Sequence, residues 1–150
     1  MFDEKNMKIA IKMAKKAEKR GEMPVGCVIV YKNKIISKGY NKKEKLKTAL
    51  AHAEVIAIKK ANKKLKNWRL NDCELYVTLE PCPMCASLIH QSRIKNIYFG
   101  CFNNNKNNSN IIKKILVDKN SNNIVNISGP FLEDECTKLL KNFFKKRRVK

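Results

Sequence analysis

The chain has 150 residues, 43% of them hydrophobic, enough for a packed core without disulfide staples and consistent with one domain over 1–150. No run of 18 apolar residues predicts a membrane span, and Met1-Phe2-Asp3-Glu4-Lys5-Asn6 lacks the basic start and apolar stretch of a secretory signal, so a cytoplasmic protein is expected. The formal charge of +20 points to a polyanionic partner, although 28 Lys against 5 Arg, with 18 Asn and 15 Ile, is also what an A/T-rich genome would produce.

Ala10, Met13, Ala14 and Ala17 recur at helical spacing and predict an amphipathic first helix that stops near Gly21 and Pro24. Val25 to Tyr31 is a short apolar, β-branched run, and Ile35 to Tyr40 follows a Lys32-Asn33-Lys34 turn, which together predict a hairpin. Residues 41–50 read as a lysine-rich loop, and a helix is expected from about Ala51 to Ala61. Leu75 to Leu79 reads as a strand leading into Glu80-Pro81-Cys82, and Pro83 suits the first turn of a helix ending near Gln91. Ile94 to Cys101 is another strand, and the asparagine-rich stretch 103–110 reads as a loop. Ile111 to Val117 reads as a short helix, with a strand as the alternative. Ile124 to Ile127 reads as an edge strand. Leu132, Cys136, Leu139, Leu140 and Phe143 mark a final helix with an acidic first turn and a basic end, which suits the helix dipole. The alternation of helices and strands predicts a layered α/β domain.

Cys27, Cys73, Cys101 and Cys136 lie in apolar surroundings, where a free Cys acts as a small buried hydrophobe. Cys82 and Cys85 differ, because they share a Cys-x-x-Cys spacing downstream of His52-Ala53-Glu54. The i, i+3 spacing puts both sulfurs on one helix face, and a helix N-terminus favours the thiolate. With His52 they supply three zinc-type ligands, leaving the fourth tetrahedral position for a water whose pKa the metal lowers to about 7. Glu54 stands two residues from His52, off its helix face, which fits a proton carrier better than a fourth ligand. Two other readings exist: a redox dithiol at a helix start, and a structural zinc site, which would want a fourth Cys or His. His90 is the remaining histidine and is given a structural or surface role.

The His52-Ala-Glu54 and Pro81-Cys82-x-x-Cys85 pair resembles the signature of the cytidine/deoxycytidylate deaminase superfamily. Pro24-Val-Gly26, Asn67-Trp-Arg-Leu70, Thr78-Leu-Glu-Pro-Cys-Pro-Met-Cys-Ala86, Ile89-His-Gln-Ser-Arg-Ile94 and Phe143-Phe-Lys-Lys-Arg-Arg148 are similar to the bacterial tRNA-specific adenosine deaminases, over nearly the whole chain. The resemblance implies a three-layer α/β/α fold with a five-stranded mixed sheet flanked by helices. It implies one Zn2+ per subunit held by His52, Cys82 and Cys85, with Glu54 as the catalytic proton shuttle. It places Asn41 against the purine and Pro24, Val25 and Leu79 in the base pocket. Lys145, Lys146, Arg147 and Arg148 would meet RNA backbone phosphates. The implied reaction is hydrolytic deamination of adenosine to inosine at the wobble position of a tRNA anticodon, by a homodimer that touches tRNA with both subunits. Two departures stand out: Thr48-Ala49 replaces the family's Asp-Pro, and Asn103 replaces an Asp that helps to hold the substrate sugar. The rival functions are a guanine- or cytosine-type small-molecule deaminase and a non-catalytic, zinc-stabilised RNA-binding module.

Overall fold

The computed structural model describes residues 1–118, 120–121 and 123–148, leaving aside the side chain of Arg148. Helix α1 (Glu4–Lys19) starts at Asp3, whose side chain accepts the Lys5 N–H at 3.0 Å, and ends before Gly21, which sits at φ +76°. Strands β1 (Gly26–Tyr31) and β2 (Lys34–Tyr40) form the expected hairpin. Lys32 and Asn33 both adopt positive φ, the condition for a two-residue turn whose twist matches that of the strands. After them come α2 (Lys43–Leu46), α3 (Ala53–Leu65), β3 (Cys73–Leu79), α4 (Pro83–Gln91), β4 (Asn96–Cys101), α5 (Asn108–Leu116), β5 (Asn126–Ser128) and α6 (Glu133–Arg148).

The strands form one mixed sheet in the order β2-β1-β3-β4-β5. The β2, β1 and β3 neighbours are antiparallel, whereas β3-β4 and β4-β5 are parallel. Helices α4 and α5 make the crossovers that parallel pairing requires. Period-2 alternation sorts the side chains into two cores. Cys27, Ile29, Leu75, Val77, Ile97 and Phe99 face a layer containing Ala57 and Ile58 of α3, Ile89 of α4 and Ile112 of α5. Val28, Val30, Tyr76 and Tyr98 face Met7, Ala10 and Ile11 of α1 and Cys136 of α6. Each wholly buried Ile or Leu contributes about 1.5–3 kcal/mol relative to an exposed one. The expected three-layer α/β/α arrangement with a five-stranded mixed sheet is therefore present.

Gly39 brings β2 close to the helix that carries part of the candidate site. A Cβ there would collide with the Ala53 carbonyl, so its absence lets the first turn of α3 lie against β2. Cys27, Cys73, Cys101 and Cys136 are free and buried, as their surroundings suggested.

Several boundaries differ from the sequence reading. The 41–50 stretch contains α2, which exists because the buried Glu22 carboxylate accepts the N–H groups of Glu44 and Lys45 at 3.1 and 3.0 Å. The asparagine-rich stretch is not all loop, since α5 already begins at Asn108, a buried residue. Helix α3 starts two residues later than expected and continues to Leu65.

Candidate active site

His52 and Cys82 are the N-caps of α3 and α4, and neither side chain caps its own helix. Other groups meet that need. Asn41, directly after β2, accepts the Ala53 N–H on its Oδ1 at 2.8 Å. Pro83 opens α4 without an N–H to satisfy. The imidazole and the thiol are thus left free, and the two helix starts turn them toward each other.

His52 Nδ1 lies 3.4 Å from Cys85 Sγ and 3.8 Å from Cys82 Sγ, and all three donor atoms fall within 4.8 Å of one another. Tetrahedral zinc with ordinary Zn–S and Zn–N bonds would separate nitrogen from sulfur by about 3.6 Å. The two observed distances bracket that value, so this donor set fits zinc. Among the described residues no other His, Cys, Asp or Glu cluster has metal-ligand geometry.

The charges are arranged for acid–base work. Cys82 is pulled down to about 4, first by hydrogen bonding from Cys85 and then by His52, against the effect of burial. Cys85 is pushed up by the same bond to Cys82, by burial and by the Glu54 charge, so it keeps the proton. The bond to Cys82 also raises His52. Glu54 is 4% exposed, and burial lifts its carboxyl to about 7, against the pull of its own N–H and of His52. A carboxyl balanced near neutral pH both accepts and donates protons readily.

These groups open into a cavity of about 260 Å³. Ligand clefts run from roughly 300 Å³ upward, so this one suits something the size of a single base. His52, Glu54 and Cys82 line it, together with Val25, Leu79, Asn41 and Asn103. Cys85 is buried behind them, and Pro24, placed in the pocket from sequence, is buried without lining it. Of the basic tail, Arg147 reaches the cavity, with its guanidinium 4.9 Å from the Phe143 ring centroid. Lys145 and Lys146 are exposed and stand apart from it, and the Arg148 side chain lies outside the described residues. His90 Nε2 and Ser121 Oγ are hydrogen-bonded at 2.8 Å, and His90 is not one of the clustered donors, in line with the structural or surface role expected of it.

The model of the cytidine and deoxycytidylate deaminase zinc-binding region matches residues 1–101. The chain belongs to this deaminase family. Its cofactor is zinc. The deaminase is 42% identical over 148 residues to the tRNA-specific adenosine deaminase of Bacillus subtilis, covering 99% of this chain and 92% of that one. It is also 42% identical over 142 residues to the tRNA-specific adenosine deaminase of Buchnera aphidicola, covering 95% and 93%. A solved structure from a study of A-to-I editing by tRNA:A34 deaminases superposes with a TM-score of 0.84 at 30% identity, covering 92% of this chain and all of the other. A guanine deaminase structure from Bacillus subtilis gives 0.68 at 32% identity, covering 99% and 95%.

Among the cavity residues that sequence reasoning passed over are Phe143, Phe144, Glu22 and Glu80. Phe143 reads as a position on the apolar period of α6 and Phe144 lies off that period, yet both line the cavity because α6 ends over it. Glu22 and Glu80 are buried carboxylates that also line it. Glu80 carried a signal in its place beside Pro81-Cys82, whereas Glu22 carried none.

Proposed function

We propose that this deaminase converts adenosine to inosine at the wobble position of a tRNA anticodon, with His52, Cys82 and Cys85 as zinc ligands and Glu54 as proton shuttle. One observation carries the assignment of roles: a buried carboxyl held near pH 7 shares a base-sized cavity with three donors spaced for zinc. The near full-length likeness to tRNA-specific adenosine deaminases supports the substrate.

Zinc, when bound, supplies the Lewis acidity that makes a water acidic near neutral pH. Glu54 takes a proton from the water that attacks adenine C6 and delivers it to ring N1. It then carries the second proton from the new hydroxyl to the amine, so that ammonia leaves and the C6 carbonyl of inosine remains. Asn41 Oδ1 accepts the Ala53 N–H, and the amide N–H groups of the same side chain are the donors offered to the base, where they suit a ring-nitrogen acceptor. Val25 and Leu79 offer apolar walls to the base. Asn103 lines the cavity and is assigned to the substrate sugar. A single-stranded anticodon loop suits such a pocket, because splaying out an unpaired base costs less than extruding one from a duplex.

The basic end of α6 would meet backbone phosphates, with Arg147 nearest the site. The deaminase would work as a cytoplasmic homodimer, with one domain over 1–150. Exposed Met84 on α4 and Ile111 on the neighbouring α5 supply apolar surface for a second copy, and light scattering measures the mass. No helix of the described residues is long and apolar enough to cross a membrane.

The likeness to a guanine deaminase structure favours one alternative, a free-base substrate. Parallel assays on an anticodon stem-loop RNA, free adenosine and free guanine decide between them. Inosine in the RNA with the free compounds untouched is the expected result, and turnover of guanine alone would overturn it.

A further inference from the structure

The segment that carries Cys82 has little backbone to hold it. The sheet ladder ends one residue past β3, where the Glu80 N–H donates to the Cys101 carbonyl at 2.8 Å. Helix α4 takes hold only with the Ala86 N–H bonding to the Cys82 carbonyl at 2.9 Å. In between, Pro81 and Pro83 have no N–H to offer.

Side chains fill that gap. The Glu80 carboxylate, 3% exposed, accepts from three donors that all follow β4: the Asn103 N–H at 3.4 Å, the Asn108 amide at 2.9 Å and the Ser109 hydroxyl at 2.7 Å. The Asn108 amide donates a second time, to the Pro81 carbonyl at 3.1 Å. That carbonyl belongs to the peptide joining Pro81 to Cys82. Both hydrogens of one NH2 group are thereby used, one on Glu80 and one on the ligand segment. Asn108 is 4% exposed, in the first turn of α5, where Asn107 in the left-handed region turns the chain into the helix.

We propose that Asn108 is a positioning residue for the Cys82 metal ligand: its amide ties the Pro81 carbonyl to Glu80 and holds the proline-flanked segment in one conformation between the sheet and α4. The inference rests on the zinc site proposed for His52, Cys82 and Cys85. It gives one member of a low-complexity asparagine tract a specific task, and it links the loop carrying Asn103 to the metal ligands through Glu80. Loss of a partner that orients a metal ligand commonly costs 10- to 100-fold in metal affinity.

The test follows zinc itself, through its release from the loaded protein to a chromogenic chelator. Asn108→Ala is expected to release zinc about 10-fold faster than wild type. Asn108→Asp keeps the shape, loses the donor and behaves likewise, which provides a second route should the alanine variant fail to fold. Ser109→Ala drops a Glu80 hydrogen bond but leaves the Pro81 bond, and it releases zinc at close to the wild-type rate. Urea unfolding of the metal-free proteins supplies the control for general loosening. Wild-type release from both Asn108 variants, or equal acceleration in Ser109→Ala, overturns the proposal while leaving the zinc site standing. A wild-type protein that takes up no zinc overturns both.

Discussion

Asn41 has one role seen in the structure and one proposed for it, and one pair of substitutions tells them apart. Its Oδ1 is the acceptor for the first N–H of α3, the helix that presents His52. Asn41 also lines the cavity, and the proposed contact with the base uses its Nδ2. Asn41→Ala removes both. Loss of a helix cap costs about 1 kcal/mol, which for a domain of this length lowers the melting temperature by about 3 °C. Loss of the hydrogen bond to the base, leaving its ring nitrogen unpaired in the cavity, costs about 1.5 kcal/mol more in the transition state, or roughly tenfold in kcat/KM. Asn41→Asp keeps an acceptor at the helix N-terminus, where a negative charge is favourable, but has no N–H to give. It is expected to preserve the melting temperature and still lose at least tenfold in kcat/KM. Thermal melts and steady-state deamination of an anticodon stem-loop measure the two effects. Wild-type kcat/KM in Asn41→Asp would refute the contact with the base, and an unchanged melting temperature in Asn41→Ala would refute the cap.

Other consequences come from charge and burial. In the metal-free protein Cys82 is a thiolate at pH 7, so iodoacetamide modifies it first and added zinc protects it. Cys73 and Cys136, pushed up by burial to about 11 and 12, stay unmodified, and early labelling of either would contradict the structure. Burial raises Glu54 from 4.5 to about 7, so its contribution to the stability of the metal-free fold is full below pH 4.5 and fades as pH rises through 7. An interval of about 2.5 in pKa is worth roughly 3 kcal/mol. Unfolding curves of Glu54→Gln should lack that slope, and parallel wild-type and variant curves would count against it. Removing residues 145–150 should weaken tRNA binding and flatten its salt dependence by about 0.7 in log–log slope for each phosphate left without its basic partner, whereas an unchanged slope would mean that the tail does not touch RNA.

What could be read in advance was what depends on local chemistry. Pro83 marked the start of α4, and the helix ends at Gln91 as expected. The hairpin was legible from two β-branched runs around Lys32-Asn33, and the metal donors from the residue types and spacing of His52, Cys82 and Cys85. What escaped depends on partners distant in sequence. Lys43–Leu46 has no apolar face to announce a helix, and its first turn is satisfied by Glu22, more than twenty residues away. Asn108 looks like any asparagine in its tract until Glu80 and Pro81 are brought against it. Phe144 is off the apolar stripe of α6, and only the fold shows that the helix ends above the cavity. Periodicity reports which face of an element is buried, but not which end of it closes a site.

The most direct test of the proposed chemistry is inosine formation on an anticodon stem-loop RNA with adenosine at the wobble position, followed by mass spectrometry for zinc-loaded wild type and Glu54→Ala side by side. The proton-shuttle role of Glu54 predicts inosine from wild type and at least a hundredfold less from Glu54→Ala, in keeping with the usual worth of a positioned general acid–base, at equal zinc content. Undiminished inosine from Glu54→Ala carrying one zinc per chain would contradict it.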